Sequence, residues 1–168
     1  MELTRENFLN MVKDGIPVKN LDLSGLDLSN ATIPGINLSQ ANLSHVDLSR
    51  SNLRGANLEG ANLEHAILTR ANLSIANLKG ANLRSANLES ANLSGAAASS
   101  GQSTARVIGA DLHGSNLTNA NLRNANLTRA KLSWADLRGA DFEGANITRA
   151  LLQGAKYDQD AFDNVISV

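Results

Sequence analysis

An aliphatic residue recurs at every fifth position from Leu23 to Leu93 without a gap, running through Leu28, Ile33, Leu38, Leu43 and onward to Leu88. Two positions before each stands a small or apolar residue, from Leu21, Leu26, Ala31 and Ile36 to Ala81, Ala86 and Ala91, and Asn or Asp usually lies between them. A five-residue advance on an α-helix overshoots a turn by about 140°, so these leucines would scatter around the cylinder. On a straight strand an odd period sends successive leucines to opposite faces. A chain that turns a corner after each pentad keeps them all inside. Each unit then reads as a three-residue strand fragment, with Ala and Leu inward and Asn outward, followed by two corner residues.

Pro34-Gly35 falls on the two corner positions and is the central pair of a type II turn. Glycine recurs at the second corner position, as at Gly25, Gly55, Gly60, Gly80 and Gly114, where a left-handed backbone costs it little. Where Gln40, Arg50, Arg70 or Ile75 takes that position, a different turn is expected.

The number of sides per coil is less constrained by the residues. Four sides stack positions 20 apart, placing Glu59 over Lys79, Glu64 over Arg84, Arg123 over Glu143 and Arg138 over Asp158. Three sides would stack Arg123 on Arg138. Opposite charges across neighbouring strands favour four, although Arg50 over Arg70 and Arg129 over Arg149 run against it.

The tandem Ala-(Asn/Asp)-Leu-x-x unit resembles that of the pentapeptide-repeat family, and the long uniform runs are most similar to cyanobacterial members. The resemblance covers about Ile16 to Gln159. It implies an all-β solenoid, a right-handed quadrilateral β-helix, with a short N-terminal α-helical cap.

The repeat breaks once. Residues 96–104, Ala-Ala-Ala-Ser-Ser-Gly-Gln-Ser-Thr, do not fit the period, and the pattern resumes at Ala105-Arg106-Val107. Taking Ala96 to Ser100 as a degenerate side leaves four residues as a surface loop. The expected organisation is one domain: a capping helix within 1–15, a first run over 16–95, the interrupting loop 96–104, a second run over 105–159 and a closing segment 160–168. In the second run Leu112, Leu117, Leu122, Leu127, Leu132, Leu137, Phe142, Ile147, Leu152 and Tyr157 are expected inside. At the usual strand spacing the rod would be about 30–35 Å long. Open solenoid ends invite aggregation. Thr4 is the expected N-cap of a helix whose Phe8, Leu9 and Val12 cover the first coil, and Phe162 is expected to cover the last.

Composition narrows the chemistry. Aromatic residues make up 3% of the chain, so leucine and alanine must fill the interior. There is no cysteine, which removes disulfides, thiolate metal sites and a cysteine nucleophile. The net charge of -1 gives no overall bias toward nucleic acid. The N-terminus lacks a basic stretch followed by an apolar one, and no apolar run approaches a membrane span, so a cytoplasmic location is expected.

Candidate sites are few. The outward Asn and Asp side chains are expected to bond neighbouring backbone and to stack as ladders. His45 and His65 share a corner one coil apart beside Glu64, a partial set for a transition metal without an evident third fixed ligand. No nucleophile–base spacing, phosphate loop, zinc-protease motif or dinucleotide fingerprint occurs, so no catalytic residue, metal or cofactor is expected. Trp134 sits at an outward corner between Gly114 and Gly154, where it could cover both or anchor a partner. Ile67, Ile75 and Leu151 also point outward and are candidate partner contacts. Some pentapeptide-repeat proteins act on DNA gyrase by imitating duplex DNA, which requires a strongly negative rod. Residues 16–159 carry 11 acidic and 13 basic side chains, which disfavours that alternative. The arginines read as dispersed along the chain. The expectation is a non-enzymatic scaffold that recognises another protein, without nucleic-acid or membrane contacts.

Overall fold

The computed structural model describes residues 3–95 and 109–166. One helix, α1 (Arg5–Lys13), precedes a continuous ladder of parallel backbone pairings. Thr4 caps α1 by accepting the Asn7 N–H at 3.2 Å. Gly15, at φ 70°, ends it, and the Ile16 N–H returns to the Met11 carbonyl at 2.9 Å. Phe8 is fully buried, while the Arg5 guanidinium donates to the carbonyls of Asp27 at 2.7 Å and Ser29 at 2.8 Å. The helix thus covers the apolar start of the solenoid and satisfies carbonyls beside it.

Beyond α1 the outward residue of each pentad pairs with the one 20 positions later, as Asp22 with Asn42, Asp27 with Asp47, Thr32 with Asn52 and Asn37 with Asn57. Four pentads therefore complete one coil, and each coil lies directly on the last. We call the four sides after these first members: the Asp22, Asp27, Thr32 and Asn37 sides. Along each, successive coils exchange two bonds per pairing, as where Leu43 N–H donates to the Asn62 carbonyl at 2.7 Å and Asn62 N–H to the Ala41 carbonyl at 2.9 Å. Every leucine from Leu38 to Leu93 at the inward position is fully buried. Alanine beside it leaves room for four leucines to meet across a narrow interior.

Most corners are β-turns closed by a bond from the next pentad's first N–H to the leucine carbonyl, as from Ala41 to Leu38 at 3.1 Å. The second corner residue is left-handed whether or not it is glycine. Gln40, Arg50, Arg70 and Ile75 have φ of 58°, 56°, 59° and 54°, close to the 68° of Gly35 and Gly55. The different turn expected at these positions is not formed. The N–H of each such residue is committed to the coil above, for example Arg50 to the Thr69 carbonyl at 2.9 Å. A loss of about 1 kcal/mol to left-handed strain is smaller than losing register along the stack.

Across the interruption the register differs from the four-residue loop expected. Asp111 pairs with Asn77, Asn116 with Asn82, Asn121 with Asn87 and Asn126 with Asn92, a step of 34 instead of 20. Asp111 is thus the side that follows Asn92. Residues 96–108, which include the pentad read from Ala105, lie outside the described residues. Gly109 lies against the next coil: its N–H reaches the Arg129 carbonyl at 3.1 Å. A Cβ there would fall 2.6 Å from the Ala130 nitrogen and the Arg129 carbonyl atoms.

At the C-terminal end the interior opens. Ile147 and Leu152 are half-buried, and Tyr157, expected inside, is 47% exposed. No full coil follows to cover them. Phe162 packs edge-on against Phe142, ring centres 5.0 Å apart, and against Tyr157 at 4.9 Å. The chain then returns to the ladder, Ile166 pairing with Asn146.

Candidate functional site

The outward carboxamides are occupied by structure before any chemistry is considered. Each side-chain oxygen turns back to the N–H two residues on, as Asn62 to Glu64 at 3.2 Å and Asn92 to Ser94 at 3.1 Å. On the Asp22 and Asn37 sides the NH2 groups also link coils, Asn62 to Asn42 at 3.2 Å, Asn82 to Asn62 at 3.0 Å and Asn77 to Asn57 at 3.2 Å. The same geometry acts on the aspartates. Hydrogen bonding from Ser24 holds Asp22 below the usual carboxylate range, and Ser29, with Arg5 nearby, does so for Asp27. Asp136 is lowered by Arg138, and Asp141 by the Glu143 N–H and then Arg123.

His45 and His65 stack with ring centres 5.0 Å apart and planes 18° from parallel. Glu64 lies 3.8 Å from the His65 Nε2 but also 3.3 Å from the Arg84 guanidinium. Among the described residues no three His, Asp or Glu side chains converge in a way that could hold a metal.

The expected ion pairs are formed in part. Glu64–Arg84 and Arg123–Glu143 meet across coils. Glu59 instead accepts from the Asn77 amide, and Lys79 turns to Asp111 at 3.8 Å, where Lys131 also sits at 3.2 Å. Arg138 bonds Asp136 at 2.6 Å on its own pentad, leaving Asp158 to accept the Gly139 N–H. Only at Arg138 does a partner in its own pentad win over the reach to the next coil.

Of the proposed partner contacts, Trp134 is 63% exposed and Leu151 55%. They sit on the Asn37 side and the corner after it, in adjoining coils. The indole covers Gly154, a Cβ on which would lie 2.8 Å from ring carbons, but leaves Gly114 bare. Ile67, on the Asp27 side, and Ile75, at the corner after the Thr32 side, are 41% and 39% exposed in one coil nearer the N-terminus, with the Thr32 side between them, and Ile75 covers Gly55. The solenoid therefore brings Trp134 and Leu151 close to each other and keeps Ile67 and Ile75 apart.

The pentapeptide repeats model matches residues 22–60, 56–95 and 108–144, in eight copies. The chain belongs to the pentapeptide repeat family. Its matches stop and restart on either side of the interruption. Solved structures that resemble this one include the pentapeptide repeat protein Rfr23 of the cyanobacterium Cyanothece 51142, at 26% identity over 97% of this chain and 99% of that one, with a TM-score of 0.46. Another is alr5209 from Nostoc PCC 7120, at 23% identity over 92% and 96% of the two chains and a TM-score of 0.48. A third is HetL of Nostoc sp. PCC 7120, involved in heterocyst differentiation regulation, at 24% identity over 92% and 95%, with a TM-score of 0.33. No curated protein matches the chain. No helix among the described residues is long and apolar enough to cross a membrane.

Pentapeptide repeats sort residues by their place in a coil, and this gathers arginines that the linear sequence scatters. Arg50 and Arg70 stack on the corner before the Thr32 side, while Arg54, Arg129 and Arg149 occupy the corner after it. None of the five forms an ion pair among the described residues, whereas Arg5, Arg84, Arg123 and Arg138 all do. The signal was present in the chain, but reading it required the 20-residue coil.

Proposed function

We propose that this chain is a non-enzymatic scaffold, a right-handed quadrilateral β-helix whose rigid outer surface binds another protein and serves a regulatory role. The observation that carries this reading is the exposed pair Trp134 and Leu151, 63% and 55% accessible on adjoining coils, one at a corner and the other on the side before it. A rod held by backbone bonds at every pairing loses little conformational freedom when it docks, and a bare indole is a frequent anchor at such contacts. The polar groups that could otherwise perform chemistry are largely committed to the backbone around them. A cytoplasmic setting fits this reading.

Affinity capture with wild type, Trp134→Ala and Leu151→Ser tests it. A specific protein retained by wild type and lost by both variants, with unchanged melting curves, supports the scaffold. Identical captures by all three forms would remove the pair as the contact site.

A further inference from the structure

We propose that the Thr32 side and the two corners flanking it form a docking face for an acidic polypeptide segment. This deepens the scaffold reading and rests on it, naming the chemistry of a partner. Three observations converge on this side. The five arginines without an ion pair among the described residues flank it. Its outward residues, from Thr32 through the asparagines to Ile166, and the corner after it, from Pro34 to Arg149, include no acidic residue among those described. On the other corner Glu143 is held by Arg123, leaving Glu89 and, at the C-terminal end, Asp163.

The third observation is hydrogen-bond polarity. Asn52, Asn72, Asn92, Asn126 and Asn146 present their oxygens to N–H groups two residues on, at 3.0–3.2 Å. In three cases a Ser74, Ser94 or Thr128 hydroxyl also donates to the same oxygen. The acceptors are consumed locally. Unlike the ladders on the Asp22 and Asn37 sides, the NH2 groups here donate to nothing among the described residues. The outer layer is therefore one of free donors, carboxamide NH2 groups along the middle and guanidinium groups at the margins. Carboxylates are the complement, since each guanidinium can take one bidentately.

The arginines fall into two groups, Arg50, Arg54 and Arg70 toward the N-terminus and Arg129 and Arg149 toward the C-terminus. At the usual strand spacing they span about 20 Å along the rod, the reach of a short extended peptide. Nucleic acid fits less well: neither the side nor its corners carries an aromatic residue on which bases could stack.

The test uses fluorescence anisotropy with a fluorescein-labelled decaglutamate peptide at low ionic strength. One variant carries Arg50→Gln, Arg54→Gln, Arg70→Gln, Arg129→Gln and Arg149→Gln. Glutamine is accommodated at such corners, as Gln40 shows at φ 58°. A charge-matched control carries Lys79→Gln, Arg84→Gln, Lys131→Gln, Arg138→Gln and Lys156→Gln, and circular dichroism melts establish that both fold. The expected result is binding by wild type and control within about twofold, and binding about tenfold or more weaker for the five-arginine variant. Equal losses in both variants, no binding by wild type, or a DNA duplex displacing the peptide at lower concentration would each overturn the proposal. A decaglutamate failure alongside an intact Trp134-dependent capture removes the arginine face and leaves the scaffold standing.

Discussion

The Ala110 N–H donates to the Leu93 carbonyl at 2.9 Å, closing a corner with the same bond that Ala81 makes to Leu78 at 3.1 Å. The whole interruption lies between these two residues in sequence, yet the solenoid joins them as neighbours. The described coil is continuous through this point, so a chain without residues 96–109 can close the same corner.

Deleting residues 96–109 follows from that bond. The deletion joins Gly95 to Ala110 and writes Ala-Asn-Leu-Ser-Gly-Ala-Asp-Leu, an unbroken pair of pentads. The shortened protein should fold and gain about 1 kcal/mol, because closing the excursion costs entropy that grows slowly with its length. Urea unfolding measures the gain. An insoluble or molten product would mean that the register across the gap is wrong.

Gly109 should tolerate no side chain. Its missing Cβ would meet backbone of the next coil at 2.6 Å, and backbone cannot swing aside as a side chain can. Gly109→Ala should destabilise by about 1–3 kcal/mol. At Gly80 a Cβ meets open space, so Gly80→Ala should lose only left-handed strain, about 1 kcal/mol. Comparing the two by denaturant midpoint separates collision from strain.

Ile75 is a β-branched residue at φ 54°, a conformation that crowds its side chain. Ile75→Asn should raise stability by about 0.5–1 kcal/mol, since Asn adopts this conformation readily. A lower melting temperature would instead mean that the Ile75 cover over Gly55 outweighs the strain.

Acidification should weaken the fold through its lowered aspartates. Asp22, Asp27, Asp136 and Asp141 each have a carboxyl held below its ordinary value. Their contribution is fully present above the unfolded value, about 3.9, and is lost as pH falls through the folded one. Asn fills the equivalent position in most pentads and accepts the same N–H. The variant with Asp22→Asn, Asp27→Asn and Asp141→Asn should therefore match wild type more closely near pH 3 than at neutral pH. Melting temperatures across this range test it, and parallel curves would count against the aspartates.

The chain by itself determined the pentad, the inward leucines, the corner after each unit and the N-cap at Thr4, because all of these depend on residues within a few positions of one another. Contacts one coil away had to come from the fold. Ala105-Arg106-Val107 reads as well as many true pentads, but which unit follows Asn92 was decided by what stacks on Asn77. Ile75 and Arg50 became left-handed because their N–H groups serve the coil above, a demand that local preference does not register. Trp134 chose Gly154 over Gly114, and Arg138 chose Asp136 over Asp158, by geometry alone. The arginine face likewise emerges when positions 20 apart are laid over one another. Short-range preference shapes each pentad, while the closed stack of hydrogen bonds determines which pentads meet and what their outer surface presents.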